Sequence, residues 1–248
     1  AVRDFGGGLS EEDVFGLYSK YGKSTKRESN NYIGAFGIGK FAPLSYGESF
    51  TCVSYHGGLK TSYNVFVNDD DDTKISKLFS EPTDEPTGLS IEVAVVENDI
   101  KEFREVVQTF FKFFPQEDMP KFLGVEEDFI PEVKKSFGAD DDSWFFIEED
   151  RNHYGYGHYH ASILMGRVKY KLDANAINVE NFISDERIRK IVAELISDRN
   201  FLFRVPLGAV KLHHSREALE YNKSTQKSLC KILFKVAKDI RVIAVEKL

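Results

Sequence analysis

A chain of 248 residues, 42% apolar and with 21 phenylalanines, has the material for one large core or two smaller ones, which excludes a disordered protein. Its net charge of −7 weighs against a dedicated nucleic-acid binder. No apolar run is long enough to span a membrane as a helix, and two distant cysteines, Cys52 and Cys230, offer neither a metal site nor an arguable disulfide, so a reducing cytosol is the default.

Nine of the eighteen glycines fall within the first 47 residues, where backbone must turn tightly or approach a ligand. Ser10-Glu11-Glu12-Asp13 is a capping box opening a helix that Gly22 can close. Residues 23–31 are polar and break both periodicities, as a loop does, and Lys40–Tyr46 predicts a short helix. Alternating β-branched and aromatic residues predict strands over Ser49–Tyr55 and Thr61–Asn68, joined by a hairpin at His56-Gly57-Gly58. Further strands are predicted over Lys74–Phe79 and Leu89–Val96, after an acidic turn at Asp69–Asp72. Asn98 then caps a helix whose Phe103, Val106, Val107, Phe110 and Phe114 recur at helical spacing until Pro115 ends it.

Between Pro115 and Asp150 there are twelve acidic against three basic residues, with two further prolines and no clean periodicity. The domain boundary is placed here, separating residues 1–115 from 125–248. Beyond it, Ser143–Ile147 and His160–Leu172 read as strands, Ser184–Ser197 as a helix, Phe201–Val205 and Ala209–Leu212 as short strands, and Ser224–Lys238 as a final helix. Residues 200–248 carry ten basic against four acidic residues, which reads as a solvated face before it reads as a site for an anionic partner.

Two motifs carry chemistry. Asp4-Phe5-Gly6-Gly7-Gly8 has the form D-x-G-x-G, in which a carboxylate can accept a hydrogen bond from an exocyclic amine while the backbone bends beneath a planar ring. Gly34-Ala35-Phe36-Gly37-Ile38-Gly39-Lys40 has the form G-x-x-G-x-G and opens a helix, where free N–H groups and the helix dipole attract phosphate. A dinucleotide loop would need the glycines in another order after an apolar strand, and a Walker loop would need Ser or Thr where Phe41 stands. Other candidates read as structure: His153, His158 and His160 lack a further metal ligand, His213-His214 beside Ser215 forms no triad, and Trp144-Phe145-Phe146 reads as core.

The two motifs, in this order and about thirty residues apart with a helix and polar loop between, resemble those of the GHKL ATPases (the ATP-binding chain of DNA gyrase, the ninety-kilodalton heat-shock chaperones, sensor histidine kinases and MutL). The resemblance implies an α+β chain: a GHKL (Bergerat) sandwich with a mixed sheet over residues 1–115, followed by a ribosomal-S5-like transducer or middle domain over 125–248. It implies that ATP is the ligand, with Asp4 recognising the adenine amine and Gly6 and Gly8 forming the first loop. Gly34, Gly37, Ile38, Gly39 and Lys40 would contact the triphosphate beneath a lid containing Lys23 and Ser24. Ser215-Arg216-Glu217-Ala218-Leu219 resembles the S-R-E-x-L segment of the chaperone middle domain, which puts Arg216 in the catalytic role of reaching the terminal phosphate; a guanidinium offers several donors and stays charged. Glu220 stands where the chaperones carry an assisting glutamine.

Tyr21–Asn30, Gly34–Pro43, Glu85-Pro86-Thr87-Gly88 and Pro206-Leu207-Gly208, with Ser215–Leu219, look together like the phage rapid-lysis A-type proteins, or protectors from prophage-induced early lysis. That resemblance implies a phage protein of the host cytoplasm, at most peripheral to the membrane, acting with a B-type companion in lysis control and evasion of prophage exclusion; a homodimer is a further expectation. The family's catalytic glutamate and magnesium-binding asparagine precede D-x-G-x-G. Ala1 lies only three residues before that motif, so the chain reads as a fragment, Mg would be held by residues outside it, and ATP hydrolysis stays open. Gly88 is followed by Leu89, where the family usually has threonine. A non-hydrolysing scaffold and a topoisomerase-like ATPase subunit stay open beside the nucleotide-gated phage protein.

Overall fold

A computed structural model of the chain describes residues 1–18, 39–70, 72–148, 160–213 and 218–246. Its contacts divide the chain into two compact units, Ala1–Ile100 and Lys101–Leu248.

The first unit begins with a short strand β1 (Val2–Arg3) and helix α1 (Glu11–Tyr18). The capping box forms as its sequence dictates: Ser10 Oγ accepts from Asp13 N at 3.1 Å and donates to Asp13 Oδ2 at 2.7 Å. After a 3₁₀ turn at Gly39–Ser45 come β2 (Ser49–His56), β3 (Leu59–Val67), β4 (Thr73–Pro82) and β5 (Gly88–Glu92). The β2–β3 turn carries Gly57 and Gly58 at φ 60° and 74°, the two left-handed residues that a two-residue hairpin demands.

These strands form one antiparallel sheet in the order β1-β5-β2-β3-β4. The register sets Phe50 opposite Val65 and Cys52 between Tyr63 and Ile91. With period two, these side chains share one face, and Val14 of α1 and Phe41 of the 3₁₀ turn complete a buried cluster with them. The predicted Leu89–Val96 strand stops at Glu92 because the chain leaves β2 and turns toward Tyr46, whose hydroxyl accepts from Val96 N at 3.0 Å and donates to Asp99 at 2.7 Å.

All but the first residue of α2 (Ile100–Phe111), the helix predicted from its apolar spacing, belongs to the second unit, and no residue of it is fully buried. The sheet that follows consists of β6 (Lys135–Gly138), β7 (Trp144–Ile147), β8 (Ser162–Met165), β9 (Val168–Lys171) and β10 (Phe201–Val205). Its order is β6-β7-β10-β8-β9 and it is mixed, β10 running parallel to β8 and antiparallel to β7. Helix α3 (Glu186–Ser197) lies between β9 and β10 in the chain; Asp185 caps it by accepting from Arg187 N and Ile188 N. These bonds, led by that from Ile188, hold the Asp185 carboxyl below its ordinary range. A small ribbon of β11 (Lys211–Leu212) and β12 (Leu219–Glu220) precedes the long helix α4 (Lys223–Glu246).

The main core of this unit gathers Trp144, Ile163, Phe201 and Phe203 from the sheet with Ile188 and Val192 of α3 and Leu229 and Leu233 of α4. Trp144 is edge-on to Phe137 at 5.4 Å and to Phe146 at 6.3 Å, so this aromatic run is core. Burial raises the thiol of Cys230 to about 11, as expected of an inert structural cysteine.

Candidate functional site

The site is built where β1 ends beside the start of β5. Asp4 extends the ladder by one bond, its N–H donating to Leu89 O at 2.9 Å. Its carboxylate then turns back on its own loop: Oδ1 accepts from Gly6 N at 2.9 Å and from Leu89 N at 3.3 Å. Two backbone donors fix one oxygen. The other oxygen, Oδ2, takes no hydrogen bond among the described residues, and the side chain is exposed, so an outward-facing anionic acceptor is presented on a fixed stalk.

Glycine is required on both sides of this carboxylate. Gly88 has φ 152°, and a Cβ there would lie 2.0 Å from Asp4 O. Gly8 has φ 69°, and a Cβ would lie 2.2 Å from Tyr55 O. Each permits a backbone-on-backbone approach that no side chain tolerates. The loop between them is tied down by its neighbours: His56 Nδ1 pairs with Gly7 O at 3.0 Å, while Ser54 Oγ accepts from Leu9 N at 2.8 Å and donates to Leu9 O at 2.7 Å. The first glycine loop is therefore a rigid shelf on the end of β2.

Of the residues singled out in the sequence, Asp4, Gly6 and Gly8 are brought together here. Gly39 and Lys40 open the 3₁₀ turn. Lys23, Ser24, Gly34, Gly37, Ile38 and Arg216 lie outside the described residues, as do His153, His158 and His214. The residues expected to face the base are thus described, and of those expected to contact the phosphates only Gly39 and Lys40 are. Sequence reasoning missed the supports, Ser54, His56 and the Leu89 amide. Their signal was weak: the Thr87-Gly88-Leu89 run stood out only as a departure from a threonine pattern.

A concavity of about 1030 Å³ opens in the second unit between residues 112–133 and the sheet, lined among others by Phe113, Phe129, Lys135, Phe145 and Arg204. Its polar groups answer one another. Asp142 pairs with Lys135 and accepts from Arg204 Nη2 at 2.6 Å, while its carbonyl accepts from Arg204 Nε at 3.0 Å. Burial alone would raise the Asp142 carboxyl, but the bonds from Lys135 and Arg204 outweigh it and hold the group below its ordinary range. A depressed carboxyl stabilises the fold above its unfolded pKa, about 3.9, and that contribution is lost as pH falls through the lower folded value. The thermal midpoint should therefore fall on acidification below about pH 4, less steeply in Asp142→Asn; equal acid profiles for both proteins would remove this pair from the account.

Among the described residues, no three His, Cys, Asp or Glu side chains gather as a metal site, and no helix is long and apolar enough to cross a membrane. No magnesium ligand is assigned.

Residues 1–99 match the family model described as histidine kinase-, DNA gyrase B-, and HSP90-like ATPase. Among solved structures the chain is similar to the ATPase region of Saccharomyces cerevisiae topoisomerase II bound to ICRF-187 (dexrazoxane), with 11% identity, a TM-score of 0.50, and coverage of 98% of this chain and 76% of that one. The same yeast region in another crystal structure gives 12% identity and a TM-score of 0.47, covering 95% and 76%. The ATPase and transducer domains of DNA topoisomerase II from Balamuthia mandrillaris give 12% and 0.46, covering 99% and 76%. No curated protein matches the sequence.

Proposed function

We propose that the GHKL-type ATPase domain formed by residues 1–99 binds ATP, with the adenine amine donating to Asp4 Oδ2. The observation that carries this is the division of labour on one carboxylate: Oδ1 is saturated by Gly6 N and Leu89 N, and Oδ2 is left as an acceptor beside a glycine shelf. An amine-bearing purine satisfies that geometry, because a flat ring can lie against glycine backbone while its exocyclic N–H meets a charged acceptor. Calorimetric titration of the chain with ATP tests it. Saturable binding is expected, and heats no larger than those of dilution would refute it.

Several finer statements form part of the same proposal and rest on resemblance. The phosphates would lie against residues 34–40 under a lid containing Lys23 and Ser24, with Arg216 reaching the terminal phosphate. The second unit would act as an S5-like transducer, so that nucleotide state biases the arrangement of the units, as a ligand shifts any equilibrium whose two states bind it unequally. ATP would bring Mg with it. The resemblance to the phage rapid-lysis A-type proteins supports a role in lysis control or evasion of exclusion, with a B-type companion and homodimerisation as the associations to test. Similarity to the topoisomerase II ATPase region concerns fold alone, so a topoisomerase-like ATPase remains the second reading. Salt-dependent DNA binding by the chain would favour it.

A further inference from the structure

The residue beside Asp4 has no role in the nucleotide account, yet its surroundings are unusually specific. Arg3 pairs with Ser90 in the β1–β5 ladder, Ser90 pairs with Val53, and Tyr55 lies two residues along from Val53; period two therefore puts Arg3, Ser90 and Tyr55 on one face of the sheet. The Arg3 guanidinium lies over the Tyr55 ring, 3.8 Å from its centroid, with the Phe5 ring at 5.2 Å. From that seat Nη1 donates to Glu85 Oε2 at 2.6 Å and Nη2 to Pro86 O at 3.0 Å. Its Nε is buried with no hydrogen-bond partner among the described residues. A buried unmet donor is unfavourable, so the pose is held by the ring and by the Glu85–Pro86 contacts against that cost.

Those contacts have a direct consequence for Asp4. Glu85 and Pro86 belong to the connection between β4 and β5, which is otherwise anchored by Thr83 N donating to Gly58 O at 2.9 Å. After Thr87 come Gly88, whose backbone abuts Asp4 O, and Leu89, whose amide holds Asp4 Oδ1. If this connection drifts, the 3.3 Å bond from Leu89 N is the first to be lost, since it is the longer of the two that fix the carboxylate.

We propose that Arg3 is a positioning residue for base recognition: by clamping Glu85 and Pro86 it sets the Leu89 amide that aims Asp4 at the purine amine. This rests on the proposed adenine contact. It concerns the base and not the phosphates, so it makes a distinction that a general stabilising role does not. Inosine triphosphate is the probe, because it has a carbonyl where adenine has its amine and cannot use Asp4 in the same way.

Affinities for ATP and inosine triphosphate are measured on the wild-type chain, Asp4→Asn, Arg3→Met, Arg3→Lys and Glu85→Ala. The wild type is expected to prefer ATP by about tenfold, the worth of one charge-assisted hydrogen bond, and Asp4→Asn to abolish or reverse that preference, since its outward NH₂ suits the carbonyl of inosine triphosphate. Arg3→Met and Glu85→Ala should each shrink it by about three- to tenfold while leaving inosine triphosphate affinity unchanged, and Arg3→Lys, which keeps charge and ring contact, should restore part of it. Glu85 is exposed, so its variant reports even if Arg3→Met unfolds. If Asp4→Asn abolishes or reverses the preference but Arg3→Met and Glu85→Ala retain it, the positioning role is overturned and the adenine contact stands. Equal losses for both nucleotides overturn it too, as mere destabilisation. A wild type that binds the two nucleotides equally overturns both claims.

Discussion

Asparagine in place of Asp4 should lower ATP affinity by about ten- to a hundredfold while leaving the thermal midpoint nearly unchanged. The substitution is nearly isosteric. Its amide oxygen can take the place of Oδ1 and keep the bonds from Gly6 N and Leu89 N, so the loop keeps its shape. What changes is the outward atom: Oδ2, an anionic acceptor, becomes an NH₂ donor facing another donor on the purine. One attractive charge-assisted contact is exchanged for a repulsive one. Titration calorimetry beside a thermal melt separates the two effects. Unchanged affinity would remove the adenine assignment, whatever else the domain binds.

Alanine at Gly88 should destabilise the first unit by about 3 kcal/mol or more and lower ATP affinity with it. Its φ of 152° lies in backbone territory that L side chains rarely adopt, and the added Cβ would meet Asp4 O at 2.0 Å. The obstacle is backbone, not the end of a flexible side chain, so relief requires β1 to separate from β5 and takes the Asp4 carboxylate with it. Gly57 is the internal control. Its φ is also positive, at 60°, but a Cβ there meets nothing within 4 Å. Gly57→Ala should therefore cost only the left-handed strain, about 1–2 kcal/mol, with ATP affinity intact. Equal costs at the two positions, by denaturant unfolding, would show that the close approach at Gly88 is not the constraint described.

These two residues also mark how far the sequence could be read. Asp4 was legible because its motif is local: the carboxylate and the glycine amide it accepts from are two positions apart. Gly88 and Leu89 complete the same carboxylate from 84 and 85 positions away, through a strand pairing that no short pattern announces. Arg3 was invisible for the same reason, since its meaning depends on Tyr55 and Glu85 meeting it across the sheet.

The fold divides along the same line. The β2–β3 hairpin was plain, because strict alternation flanks two glycines that supply the positive φ values of the turn. The segment His160–Leu172 read as one strand and is a hairpin: Gly166, at φ 61°, turns the chain, but strand-forming residues on both arms, the apolar run Ile163–Met165 and the alternating Val168–Leu172, hide the break. Strand β6 escaped altogether. It lies at the sheet edge, carries Lys135 and ends at Gly138, where a Cβ would meet the Phe145 side chain at 2.7 Å; close packing there replaced the apolar pattern that would have revealed it. The sequence boundary at residues 115–125 followed composition, whereas contacts divide the units after Ile100, giving most of α2 to the second.

The central claim is that a purine occupies the space in front of Asp4, and the amides of Gly6 and Leu89 report on it directly because both donate to that carboxylate. Nitrogen-15 NMR of the chain titrated with ATP should show these two resonances shifting together and saturating with the calorimetric affinity, and in Asp4→Asn the same shifts should require about ten- to a hundredfold more ATP. ATP binding that leaves both amides unmoved in the wild type would contradict the account.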